Sequence, residues 1–181
     1  MKKNLNFLLL ILMLLCLMSC QKNKNIRDFY SIKQNDNYTY NYTVRDVRGK
    51  ILGNETNLSR QPHLYEISES IVKASVQTGT GISTNIATYY DVYTGKVSET
   101  YQYVLGEFEE NTVFAIRKED GTQIVIQDIF DREKYHMGIE IEDVSDVIDP
   151  IVGFECTENG IKITYLSGEE YSETVKEIII K

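Results

Sequence analysis

Tyr38-Thr39-Tyr40-Asn41-Tyr42-Thr43-Val44-Arg45-Asp46-Val47-Arg48-Gly49-Lys50-Ile51 is the stretch that decides the fold class. Tyr38, Tyr40, Tyr42 and Val44 alternate with polar residues, the period of a strand that buries one face. Arg48-Gly49 then interrupts the pattern with turn chemistry, and Ile51 resumes it. The unit recurs along the chain. Thr88-Tyr89-Tyr90-Asp91-Val92-Tyr93-Thr94-Gly95-Lys96-Val97 repeats it with one insertion, and Ile126-Gln127-Asp128-Ile129-Phe130-Asp131-Arg132-Glu133-Lys134 echoes it. Ile163-Thr164-Tyr165-Leu166-Ser167-Gly168-Glu169 follows more loosely. The turns at Thr94, Asp131 and Ser167 lie 37 and 36 residues apart, and Asp46 precedes Asp91 by 45. A period of about 40 with three or four strands per unit is the spacing of propeller-like blades.

Alternation continues in Tyr135, Met137, Ile139 and Ile141, in Val152, Phe154 and Cys156, and in Ile161, Ile163 and Tyr165. Asp120-Gly121 and Asn159-Gly160 are read as hairpin turns whose central residues take positive φ. Helix signals reduce to Val144, Val147 and Ile148 ahead of Pro150, which allows at most one or two turns. The expected class is therefore all-β, built of antiparallel meander repeats. A β-sandwich or barrel of the same hairpins is the alternative.

The chain opens differently. Lys2 and Lys3 precede twelve apolar residues from Phe7 to Met18. That run is too short for a spanning helix, which needs about 20 residues, and fits the core of a signal peptide. It ends Leu17-Met18-Ser19-Cys20, which resembles the lipobox of bacterial lipoproteins. The resemblance implies cleavage between Ser19 and Cys20 and a diacylglycerol, with palmitate-type chains, on the Cys20 thiol. Two acyl chains hold a protein stably at a membrane. The expected organisation is a signal peptide over 1–19, a lipidated cysteine and polar tether over 20–27, and one extracytoplasmic β-domain over 28–181. The expected location is the outer face of the cell membrane.

Cleavage removes Lys2 and Lys3 and moves the formal charge from −8 to −10. An acidic surface of this kind repels nucleic acid, so no nucleic-acid partner is expected. Of three cysteines only Cys156 would remain with a free thiol, so stability must come from the core rather than from disulfides. Three stretches also resemble a group of uncharacterised β-rich lipoproteins from Gram-positive anaerobic bacteria: Tyr90 to Lys96, Gln127 to Tyr135 and Ile163 to Glu169. That resemblance implies location and β content, and no activity.

Residues for catalysis are sparse. His136 falls on the polar side of its strand and His63 at a loop or strand start, both read as surface histidines. Cys156 shares the parity of Val152 and Phe154 and is read as a small buried hydrophobe. The glycines of Gln77-Thr78-Gly79-Thr80-Gly81 are read as a hairpin loop rather than a phosphate cradle. Asp46, Asp91 and Asp128 recur at one place in the repeat. Each is expected to cap the backbone of its own turn, a ring of carboxylates around a channel being the other arrangement. Asp143, Asp146 and Asp149 form an acidic run read as solvated, with Ca²⁺ ligation as the alternative. No cofactor is expected. Thirteen tyrosines against six phenylalanines favour recognition, since tyrosine pairs a rigid ring with a polar tip. Tyr38, Tyr40, Tyr42, Tyr89, Tyr90 and Tyr93 are the candidate binding surface. The expected function is a non-catalytic binding module for a peptide, glycan or protein. The alternatives are a carboxylate-based envelope hydrolase and a structural subunit of an envelope complex.

Overall fold

A computed structural model describes residues 25–147 and 149–180. The stretch read as a signal peptide, with the expected cleavage site Ser19–Cys20 and the expected lipidation at Cys20, lies outside the described residues.

The described residues form fourteen strands in four antiparallel sheets, each a meander of consecutive strands. The first holds β1 (Tyr30–Gln34), β2 (Tyr40–Arg45) and β3 (Ile51–Leu58). The second holds β4 (His63–Glu66), β5 (Ile71–Gln77), β6 (Asn85–Asp91) and β7 (Tyr101–Gln102). The third holds β8 (Val104–Phe108), β9 (Asn111–Lys118), β10 (Gly121–Asp128) and β11 (His136–Ile141). The fourth holds β12 (Ile151–Thr157), β13 (Gly160–Ser167) and β14 (Ser172–Ile179). Among the described residues no sheet closes into a barrel. The sequence repeat maps onto this plan: β2, β6, β10 and β13 each stand next to last in their sheet and end in the repeated turn.

The sheets stack in chain order. Tyr42 and Val44 of the first sheet meet Val72, Ala74 and Tyr90 of the second. On the opposite face of the second sheet, Ala87 and Tyr89 meet Val104 and Ile129 of the third segment. Ile124, Ile126 and Val113 of the third sheet then meet Ile161, Ile163 and Ile178 of the fourth. Among the described residues no such cluster joins the fourth sheet to the first. The end sheets instead turn polar faces outward. Ser31, Lys33, Asn41, Thr43 and Asn54 share the outer face of the first by register. Glu155, Lys162, Thr164 and Glu177 share that of the fourth, with Val175 and Ile179 among them. Polar outer faces are what ends a stack of repeats in water.

Stacking explains a departure from the expected pattern. A single buried face holds for the end sheets only. In β6 the neighbours Tyr89 and Tyr90 are both buried, because each side of the strand faces another sheet. In β10 the whole run from Ile124 to Asp128 is buried for the same reason.

The capping expectation agrees with the geometry. Asp46 Oδ1 accepts from the N–H of Arg48 at 2.9 Å and of Lys50 at 2.8 Å. Asp91 Oδ1 accepts from Tyr93 and Thr94, each at 3.0 Å. Asp128 Oδ1 accepts from Phe130 and Asp131, each at 2.9 Å. The carboxylates are thus spent on turns and form no ring. Gly49 and Gly95 take φ of +85° and +78° inside the first two of these turns, which a side chain would oppose. The other two glycine turns depart from expectation. Lys118 pairs with Gly121 and Thr157 with Gly160, so the central residues are Glu119-Asp120 and Glu158-Asn159. Gly160 opens its strand under the Ile178 carbonyl, where a Cβ has no room.

Asn25 caps a 3₁₀ turn, Ile26–Phe29, that buries Ile26 and Phe29. Residues 143–147 hold no helix, in keeping with their thin helix signal, and Val144 bridges to Ser167. Two further expectations are corrected. Tyr38 precedes β2 and has φ of +60°, so it does not extend the Tyr40–Tyr42 face. Cys156 is exposed rather than buried. A bulge between Ile151 and Gly153 shifts the register of β12, turning Val152 outward while Phe154 packs on the core at Gly106.

Candidate functional site

The tyrosines do not make one surface. Tyr42, Tyr89 and Tyr90 are 2%, 0% and 4% exposed and belong to the core. Tyr42 and Tyr90 share a hydroxyl–hydroxyl bond of 3.2 Å between the first two sheets. Tyr38 and Tyr93 are exposed and Tyr40 is half-buried, on separate segments. Strand parity places alternate tyrosines inward once a neighbouring sheet covers them.

The structure instead opens a groove between the second and third sheets. β7 is only two residues long, so it stops before it covers the face of the third sheet opposite it. On that face the register aligns Phe114 with Val125, Ile116 with Gln123, and Gln127 with His136. The result is a groove of about 490 Å³, floored by Tyr101 and Gln127 and lined by Phe114 and Ile116, with Glu99, Arg132 and His136 at its sides.

A hydrogen-bonded chain crosses this floor. Gln127 Nε2 donates to Glu99 Oε1 at 2.8 Å and to Tyr101 Oη at 3.1 Å. Tyr101 Oη in turn donates to the Ile129 carbonyl at 3.0 Å. Gln127 Oε1 then lies 3.2 Å from His136 Nδ1. A carboxylate accepts only, so the glutamine must present its NH₂ to Glu99 and its oxygen to His136. Nδ1 therefore carries a hydrogen, and in the neutral ring Nε2 is the acceptor. Burial and the nearby Glu99 push the Tyr101 phenol up to about 12, so it stays protonated. Gln127 is 3% exposed, so its orientation is held by the fold before any ligand arrives.

The other candidates fall elsewhere. His136 and His63 are exposed, as the pattern implies, and His63 stacks on Tyr65 at 6.0 Å. Asp146 pairs with Arg117 at 3.2 Å, and Asp149 accepts from the Ser83 N–H at 2.9 Å. Asp143 is exposed on a positive-φ residue. The run thus ties its loop to β9 and to the 3₁₀ turn Ile82–Thr84 rather than gathering its oxygens. Among the described residues no group of three His, Cys, Asp or Glu side chains is placed to hold a metal ion. The Cys156 thiol sits 3.1 Å from the Glu107 carbonyl, and burial with the Glu107 charge pushes its pKa up, away from the reactive thiolate.

Glu99, Gln127 and Arg132 escape a reading of the sequence as a site. One signal is legible: Gln127 follows Val125 at core parity, a polar residue where an apolar one is due. Its partner Glu99 lies 28 residues away, and no local pattern joins the two. No protein-family model, curated protein or solved structure matches this chain.

Proposed function

We propose that this protein is a lipid-anchored, extracytoplasmic binding module, which holds a peptide, glycan or protein partner in the groove between its second and third sheets. The observation that carries this reading is the prearranged Glu99–Gln127–His136 chain on the floor of an open, partly apolar groove. Ligand sites commonly combine such a concavity with a few fixed polar groups. A binding role is favoured over hydrolysis by the partner of His136. It is bonded to an amide rather than to a hydroxyl or thiol that it could activate. The lipobox at Leu17-Met18-Ser19-Cys20 supports the anchor.

Two measurements test the reading together. A photo-crosslinking amino acid at Gln102, on the groove, should give adducts in an envelope fraction, and the same label at Glu169 should not. Cys20→Ala should abolish labelling by a radioactive fatty acid. Equal adducts at both positions would remove the groove as the binding site, and persistent fatty-acid labelling would remove the anchor.

A further inference from the structure

We propose that the groove takes an uncharged carbohydrate of two or three sugar units, an assignment that rests on the groove being the binding site.

Charge points this way first. The chain carries a formal −8, yet the groove is lined by one carboxylate, Glu99, and two guanidiniums, Arg117 and Arg132. Arg117 is balanced by Asp146, whereas Glu99 and Arg132 make no ion pair among the described residues. Two opposite charges facing one cleft leave no net field for an anion or a cation, so an uncharged ligand suffers no repulsion there.

Hydrogen-bond polarity agrees. A sugar hydroxyl both donates and accepts, so its site needs acceptors and donors side by side. Glu99 keeps Oε2 as an acceptor after Oε1 is used by Gln127, and His136 offers Nε2 as another. Arg132 supplies donors in a planar fork and Thr100 a group of either kind. The glutamine behind Glu99 and His136 fixes both, so little ordering is left for binding to cost.

The apolar wall suits the same ligand. Ile116 is 42% exposed on this face and Phe114 is half-buried beside it. A pyranose ring carries C–H groups on one side and can lie on such a wall while its hydroxyl edge meets the polar groups. The volume of about 490 Å³ falls within the range of small-molecule sites, roughly 300–1,000 Å³.

The test uses the full lipidated chain in detergent micelles on an array of neutral oligosaccharides, uronic-acid oligosaccharides and random peptides, with calorimetry on any hit. Binding of neutral oligosaccharides is expected. Glu99→Gln and His136→Phe should each weaken it about tenfold or more, as for loss of a bond to a charged or fixed partner. Glu169→Gln, on a turn of the fourth sheet, should bind as the wild type does. Circular dichroism separates loss of contact from loss of fold, and Thr100→Val serves as a second groove variant if either of the first two unfolds. Binding of uronic-acid glycans or peptides alone overturns the sugar assignment, as does neutral-glycan binding that survives all the groove variants. If the array stays blank while Gln102 adducts form in the envelope fraction, the ligand class is wrong and the groove reading stands. If both are blank, both fall.

Discussion

Lys73→Met should unfold this protein more readily than any exposed charge change, and the reason lies in the seam between the second and third sheets. Lys73 Nζ sits 2.6 Å from Glu107 Oε1, with side chains only 12% and 18% exposed. The same carboxylate oxygen accepts from Tyr89 Oη at 2.5 Å, and Tyr89 Oη is 3.0 Å from Thr112 Oγ1. Tyr89 and Thr112 are both 0% exposed. Removing the ammonium leaves a carboxylate in a dry seam with a phenol as its chief partner. Breaking a fully buried pair costs about 3–5 kcal/mol, and the residual exposure places this one near 3 kcal/mol. With a urea m-value of about 2 kcal/mol/M, the midpoint falls by roughly 1.5 M. The melting temperature falls by about 6–12 °C for a chain of this length. Lys73→Met with Glu107→Leu removes both charges and should recover to within about 1 kcal/mol of the wild type, because the desolvation cost disappears with the charge. Equilibrium urea unfolding of the three variants at pH 7 measures this. A single variant within about 0.5 kcal/mol of wild type, or a double variant as damaged as the single, would refute the reasoning.

Two further predictions concern pH. Burial alone would raise the Asp46 and Asp128 carboxyls. The backbone N–H groups of their turns, with Arg48 and Lys134, outweigh it and hold both below the usual range. Their contribution is complete above the unfolded value near 3.8 and is lost as pH falls through the lower folded values, so the urea midpoint should decline below about pH 4. In Asp46→Asn with Asp128→Asn that decline should be shallower, and an unchanged slope would show that the two caps do not drive it. At the alkaline end, burial raises the phenols of Tyr101 and Tyr103 to about 12, and those of Tyr42, Tyr89 and Tyr90 are raised as well. The folded state holds these protons more tightly than the unfolded chain does. Stability is therefore complete below about pH 10 and falls above it. Ultraviolet titration should show these five ionising together with loss of circular dichroism, and ionisation well before unfolding would place them at the surface instead.

The strand class and the turns are legible in the sequence because both are local. Period-two alternation around Tyr42 and Val44 needs only the pleat, and an aspartate two to four residues before the N–H groups it caps needs only its own turn. The repeat of Asp46, Asp91 and Asp128 marks the next-to-last strand of three sheets without any knowledge of how the sheets meet. Cys156 keeps the core-facing parity of Phe154, opposite buried Ile161, yet stands next to last in β12, and exposure at a strand's end leaves no mark in the alternation.

What the sequence by itself determined was the β content and the strand–turn unit, each written in a run of neighbouring residues. Only the tertiary structure decided which faces are inside. Tyr89 and Tyr90 are both core because a sheet stands on either side of β6, whereas Val44 has a single neighbour. It alone also made the groove, by stopping β7 after two residues and bringing Glu99 of the second unit against Gln127 and His136 of the third. Sheet stacking is set by contacts between residues far apart in the chain. Gln127 therefore acquires its role only when the fold sets Glu99, 28 residues away in the chain, against it.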